Sequence, residues 1–127
     1  MKMPEKRILL VEDEQDVRTV MTHALRGEGY VVDTATTVAE AWWLLDAHSY
    51  ALAIVDWRLP DGNGMVIADG AAQLGAKTYL MSGYLFWMPG GRAHNHETLM
   101  KPLRPGELIA LVEGAIGGAD ATSSPPS

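Results

Sequence analysis

Apolar and polar positions fall into short blocks that alternate in period. Ile8-Leu9-Leu10-Val11 is a fully apolar run between Arg7 and Glu12, the pattern of a strand buried on both faces. From Gln15 to about Arg26 the apolar residues Val17, Val20, Met21, Ala24 and Leu25 recur at helical spacing, and Gly27 and Gly29 end that helix. Tyr30-Val31-Val32 predicts a second strand. Thr37 predicts the cap of a second helix, with Glu40 as its capping-box partner. This helix carries Val38, Ala41, Trp42, Leu44 and Leu45 and fades near His48. Trp42 and Trp43 lie about 100° apart on it, so one is expected at the core and the other at the surface.

Ala51 to Val55 predicts a third buried strand that stops at Asp56. Leu59-Pro60-Asp61-Gly62-Asn63-Gly64 is a turn cluster. A weaker helix follows from Met65 to Leu74, with Gly70 inside it. Thr78 to Met81 and Thr98 to Met100 predict a fourth and a fifth strand. Pro105 and Glu107 open a last helix striped by Leu108, Ile109, Leu111, Val112, Ala115 and Ile116. Between the fourth and fifth strands Pro89, Gly90 and Gly91 oppose a full helix, so a shortened or irregular one is expected there. The segment Gly117 to Ser127 has no apolar stripe. A domain over residues 1–117 and a disordered tail over 118–127 are the expectation.

Strands that alternate with helices imply right-handed crossovers, and so an α/β, doubly wound, five-stranded parallel sheet covered on both faces. Ligands of such sheets sit at the carboxyl ends of the strands. The polar residues that follow the strands are Glu12 and Asp13, then Asp56, then Ser82, then Lys101. No other edge collects such a set.

Composition narrows the chemistry. Ten basic and sixteen acidic side chains in 127 residues leave a net charge of −6, which argues against binding nucleic acid by phosphate neutralisation. Cysteine is absent, so thiolate metal sites, disulfides and thiol nucleophiles are excluded. The apolar stretch near the N-terminus is too short for a signal-peptide core. The longest uncharged run, near Tyr79 to Gly91, contains proline and glycine and is no membrane span. A cytoplasmic protein without membrane or nucleic-acid partners is the expectation.

Three carboxylates at one rim need a counter-charge. Hard oxygen ligands with room for water suit Mg²⁺, and a backbone carbonyl after Asp56 completes the set. A carboxylate beside such a metal is also a nucleophile toward phosphorus, with the metal and Lys101 offsetting the developing charge. Taken one at a time these residues have plainer readings. Glu12 and Asp13 suit a first helical turn, Asp56 and Ser82-Gly83 suit turns, and Lys101 suits solvent. Their joint placement after four strands favours a site.

These motifs are Ile8 to Glu14, Val55 to Gly64, Met81-Ser82-Gly83 and Lys101-Pro102-Leu103. Together they resemble the receiver domain of bacterial two-component response regulators, over residues 7 to about 116. The resemblance implies a flavodoxin-like receiver fold and a single-domain response regulator, with too few residues after 117 for an output domain. It implies that Asp56 accepts a phosphoryl group from a sensor histidine kinase or a histidine phosphotransfer protein. Asp13 and Asp56 would bind Mg²⁺, Glu12 would do so mainly through water, and the Arg58 carbonyl would be the backbone ligand. Ser82 and Lys101 would bind the phosphoryl group, and Arg58 and Tyr84 would tune its hydrolysis. Only self-phosphotransfer and autodephosphorylation are expected, not turnover of an external substrate. Output would run through a downstream protein target, from a monomer or weak homodimer.

The pattern departs from that family in two places. The aromatic usually found three residues before the lysine is Thr98 here, and the stretch before Lys101 is shorter than usual. That stretch carries Tyr84, Phe86 and Trp87, expected to form a partner-binding loop. Ser82-Gly83-Tyr84 also resembles, over a short match, a single-domain receiver subgroup with Thr-Gly-Tyr at this place. His94 and His96 form a spaced pair without a third ligand, and a polar loop is expected for them. Two other functions fit some of the residues: a receiver-like scaffold that is never phosphorylated, and a Mg²⁺-dependent phosphatase with an aspartyl-phosphate intermediate. Such phosphatases usually place a second acid two residues after the nucleophile, where this chain has Arg58.

Overall fold

The structure, a computed structural model, describes residues 6–83 and 96–119. Its main sheet contains five parallel strands: β1 (Arg7–Val11), β2 (Val31–Ala35), β3 (Leu52–Asp56), β6 (Lys77–Ser82) and β7 (Glu97–Met100). A small antiparallel ribbon, β4 (Arg58–Leu59) with β5 (Gly62–Asn63), follows β3. The helices are α1 (Gln15–Gly27), α2 (Val38–Ala47), α3 (Met65–Gln73) and α4 (Pro105–Ile116). The strand order is β2-β1-β3-β6-β7, the doubly wound arrangement expected from the alternation. The expected irregular helix between Ser82 and Lys101, and Tyr84, Phe86, Trp87 and His94, lie outside the described residues.

The fully apolar strands read as they do because both of their faces are covered. Along β1 and β3, Leu9, Val11, Ala53 and Val55 face the layer of α2 and α3, where they meet Ala41, Leu45, Ile67, Ala68 and Ala71. Ile8, Leu10, Leu52 and Ile54 face the other layer and meet Met21, Leu25, Leu108 and Val112 of α1 and α4. Each fully buried Leu or Ile contributes about 1.5–3 kcal/mol relative to exposure, so the central strands are the least movable part of the sheet. The rim that they carry inherits that rigidity.

Several local expectations change. Thr37 does cap α2, accepting from the Glu40 N–H at 3.1 Å, but the Glu40 carboxylate reaches back to Thr36 rather than Thr37. Asp61, expected as a turn residue, also accepts from the N–H groups of Val38 and Ala39 at 2.7 and 3.1 Å. The β4–β5 turn thus supplies a second cap to the α2 N-terminus, where a carboxylate is favoured by the helix dipole. Neither tryptophan of α2 is buried: Trp42 is 40% exposed and Trp43 70%. Trp42 instead rests on Gly70 of α3.

Part of the expected tail is packed. Lys6 Nζ donates to the carbonyls of Ile116 and Gly118, and the Tyr30 hydroxyl donates to that of Gly117. Ala119 joins the α1/α4 core layer, its Cβ 3.3 Å from where a Cβ on Gly29 would lie. Gly118 and Ala119 thus pack against the domain; residues 120–127 lie outside the described residues.

Candidate phosphoryl and metal site

The ends of four parallel strands deliver the site. Glu12 and Asp13 follow β1, Asp56 ends β3, Ser82 ends β6 and Lys101 follows β7. Register carries each to the same level. Val11 pairs with Val55, Asp56 with Met81, and Ser82 with Met100. Beyond the ladder, the Lys101 N–H donates to the Ser82 carbonyl at 3.0 Å, and the Trp57 N–H donates to that of Met81 at 2.9 Å. These bonds fix where β3 and β7 release their last residues.

Lys101 is the hub. Its Nζ lies 2.7 Å from Glu12 Oε1, 2.7 Å from Asp56 Oδ2 and 3.3 Å from Glu14 Oε1. Glu12 is fully buried and Asp56 nearly so, whereas Asp13 is exposed. Burial pushes the Glu12 carboxyl up to about 7; Asp56 pushes it the same way, while Lys101 and the Glu14 N–H pull it down. For Lys101, burial opposes the charge, but the hydrogen bonds and charges of Asp56 and Glu12 outweigh it and hold the ammonium above its usual range. Each group thus depends on the other: buried carboxylates without a cation, or a buried ammonium without an anion, cost several kcal/mol.

Two backbone donors complete the carboxylates. The Glu14 N–H donates to Glu12 Oε2 at 3.1 Å, and the Arg58 N–H donates to Asp56 Oδ1 at 3.2 Å. Gly64 lets α3 start hard against the end of β3. A Cβ on Gly64 would lie 2.0 Å from the Asp56 carbonyl oxygen. Its φ is −64°, so the position demands glycine for space and not for a left-handed backbone.

Asp13, Asp56, Arg58, Ser82 and Lys101 line one open cavity of about 740 Å³ with Val17, Val20, Met21, Pro102 and Leu103. Carboxylate oxygens of Glu12, Asp13 and Asp56 lie within 4.8 Å of one another. An all-oxygen donor set of this size, open to water on the Asp13 side, fits a hard divalent ion such as Mg²⁺ and not a soft metal. Five residues named from the sequence (Glu12, Asp13, Asp56, Ser82 and Lys101) are therefore brought together. Arg58 contributes its N–H to Asp56 and its side chain to the cavity wall. Thr98, at the position of the missing aromatic, is exposed on β7 beside Leu80 of β6.

His96 corrects an expectation. Its side chain is 3% exposed rather than solvated, and it sits immediately before β7. One ring nitrogen meets the Thr78 hydroxyl and the other lies 2.6 Å from Asp69 Oδ1. Sequence reading missed this contact because Thr78, Asp69 and His96 belong to different elements.

A family profile described as the response regulator receiver domain matches residues 8–85. The chain belongs to that family. The matched span includes Glu12, Asp13, Asp56 and Ser82. Among curated relatives, the response regulator RppA of Synechocystis sp. is 34% identical over 111 residues, covering 82% of this chain and 47% of its own length. The response regulator Rre1 of the same organism is 32% identical over 124 residues, covering 91% and 54%. The chain spans about half the length of these relatives. A receiver domain protein (CheY-like) from Methanospirillum hungatei superposes with a TM-score of 0.80 at 28% identity, covering 89% of this chain and 94% of that one. The five-stranded receiver fold with its acidic pocket is thus shown by sequence and by structure. Receiver domains of two-component systems are generally phosphoacceptors rather than classical enzymes. None of the described helices is long and apolar enough to cross a membrane.

Proposed function

We propose that this receiver domain takes a phosphoryl group onto Asp56 from a phosphohistidine of a sensor kinase or phosphotransfer protein, and signals through phosphorylation-dependent protein contacts. One observation carries the reading: the Asp56 carboxylate stands at the end of the central strand, 2.7 Å from Lys101 Nζ, at the wall of an open cavity that Asp13 also lines. A Asp56 carboxylate oxygen attacks phosphorus, the P–N bond breaks, and the imidazole leaves with the bonding pair and takes up a proton. The product is a mixed carboxylic–phosphoric anhydride.

Asp13, Asp56 and the Arg58 carbonyl would hold Mg²⁺, with Glu12 acting mainly through water. When bound, the ion offsets charge on the equatorial oxygens of the phosphoryl group. Lys101 would release one carboxylate contact and pair with the arriving phosphoryl oxygen, keeping its positive charge at the transferring group. Ser82 would donate a hydrogen bond from the end of β6. Arg58 and Tyr84 would shape the path of the water that removes the group. Tyr84, Phe86 and Trp87 would supply the partner-binding surface.

The experiment is incubation with Mg²⁺ and acetyl phosphate or phosphoramidate, read by intact mass. The expected result is the gain of one phosphoryl group, absent when EDTA is present throughout the incubation and absent in Asp56→Asn. No gain, or a gain that survives Asp56→Asn, overturns the reading.

A further inference from the structure

β7 is the shortest strand of the sheet and the one that carries Lys101. It has four residues and, among the described residues, lies at the sheet edge and pairs only with β6. Glu97, Thr98 and Met100 are exposed, and Leu99 alone is partly buried against the α1/α4 layer. Edge segments with few apolar contacts open most easily. At its far end β7 delivers Lys101 to two buried carboxylates. Something must hold its near end.

His96 is placed to do so. It precedes Glu97, and Thr78 precedes Tyr79, the ladder partner of Glu97. The His96–Thr78 side-chain contact therefore adds one rung to the β6–β7 ladder. The other ring nitrogen reaches Asp69 on α3, a helix that packs on the β3–β6 part of the sheet. The Asp69 carboxylate accepts, so Nε2 carries a proton and donates; in the neutral ring Nδ1 then accepts from the Thr78 hydroxyl. A buried imidazole satisfied on both sides ties the start of β7 to β6 and to α3 together.

We infer that His96, clamped between Thr78 and Asp69, is a positioning residue that sets the placement of β7 and thereby the reach of Lys101 to Glu12 and Asp56. It acts through the strand; nothing in its own chemistry touches the site. The consequence for phosphoryl transfer rests on the reading of Asp56 given above, whereas the consequence for Lys101 does not.

The test uses two readouts on the full chain. The first is the ¹⁵N–¹H signal of the Lys101 ammonium, which the paired carboxylates shield from exchange; the second is the rate of phosphoryl uptake from phosphoramidate with saturating Mg²⁺. His96→Leu fills the space without hydrogen bonding. It is expected to broaden or lose the Lys101 signal and to slow uptake about tenfold, the scale of a modest misplacement of a catalytic group. His96→Gln keeps a donor and an acceptor and is expected to recover part of both.

A merely structural role would lower the melting temperature of His96→Leu while leaving the Lys101 signal and the rate unchanged, and that result overturns the inference. Should His96→Leu fail to fold, Thr78→Val and Asp69→Asn each remove one arm of the clamp. An unaltered Lys101 signal in both overturns it equally. Should the unmutated chain take up no phosphoryl group, the reading of Asp56 fails, and the Lys101 signal still decides the role of His96.

Discussion

Trp42 of α2 lies in the space that Gly70 leaves open on α3: a Cβ at Gly70 would come within 2.4 Å of Trp42 Cη2. This contact explains a glycine that otherwise weakens a nine-residue helix. Two effects of similar size oppose each other on Gly70→Ala. Alanine favours the helix by about 1 kcal/mol, while crowding the indole costs about 1–3 kcal/mol where it cannot turn away. Trp42 is 40% exposed, so it yields in part, and a net loss of about 1 kcal/mol is expected. In a Trp42→Ala background the clash is gone, and Gly70→Ala becomes stabilising by about 0.5–1 kcal/mol. Urea unfolding of the four proteins of this cycle checks the change of sign.

Gly64 poses the sterner version of the same problem. The atoms facing a Cβ at Gly64 are the Asp56 carbonyl oxygen at 2.0 Å and Val55 Cγ1 at 2.8 Å. A strand carbonyl in the centre of the sheet cannot swing aside as an exposed indole can. Gly64→Ala is therefore expected to cost about 3 kcal/mol or more, by forcing the β3–α3 junction apart. The same movement shifts Asp56, so the Mg²⁺ affinity proposed for this site is expected to fall as well. Chemical denaturation and a Mg²⁺ titration followed through Trp57 fluorescence test both effects.

Removing the hub of the site tests the charge argument. In Lys101→Met the apolar stem is kept and the ammonium lost, leaving Glu12 and Asp56 buried without the cation that lies 2.7 Å from each. Breaking a buried pair from one side costs about 3–5 kcal/mol. A divalent ion can replace part of what is missing, so Mg²⁺ should raise the melting temperature of Lys101→Met more than that of the unmutated protein. Equal shifts in the two proteins would show that the ion and Lys101 do not share the same carboxylates.

What could be read from the chain follows from how local each signal is. β1 and β3 were legible because burial on both faces leaves no polar residue inside them. Glu12, Asp13, Asp56, Ser82 and Lys101 were legible because each stands directly after an apolar run, and the parallel sheet then brings them to one rim. β2 was read too short, at Tyr30 to Val32, because Asp33 and Thr34 interrupt the apolar run. Asp33 sits in the strand at no electrostatic loss because Arg7 and Tyr50 both bond to it. The Trp42–Gly70 contact, the Asp61 cap on α2 and the His96 clamp depend on residues 22 or more apart in most of their bonds, or on packing between two helices. No periodicity encodes such pairs.

That same Asp33 gives a prediction with a definite sign in pH. Asp33 Oδ2 lies 2.8 Å from Arg7 Nη1 and accepts from the Tyr50 hydroxyl at 2.8 Å, joining β1, β2 and the segment before β3. Burial alone would raise its carboxyl; the hydrogen bonds from Arg7 and Tyr50 and the charge of Arg7 outweigh it, and the group titrates below its ordinary value of 3.8. A carboxyl lowered in the fold adds stability above the unfolded value and loses it as pH falls through the folded one. The side chains of Arg7 and Asp33 are 30% and 24% exposed, so solvent screens the pair, and about 1–2 kcal/mol is expected. Asp33→Asn should therefore be less stable than the unmutated protein by that amount at pH 7. The gap should stay constant down to about pH 5 and close below pH 4, where Asp33 itself takes up a proton. Urea midpoints measured from pH 7 to pH 3 give the curve. A gap that does not change with pH would mean that Asp33 acts through its shape and neutral hydrogen bonds rather than through its charge.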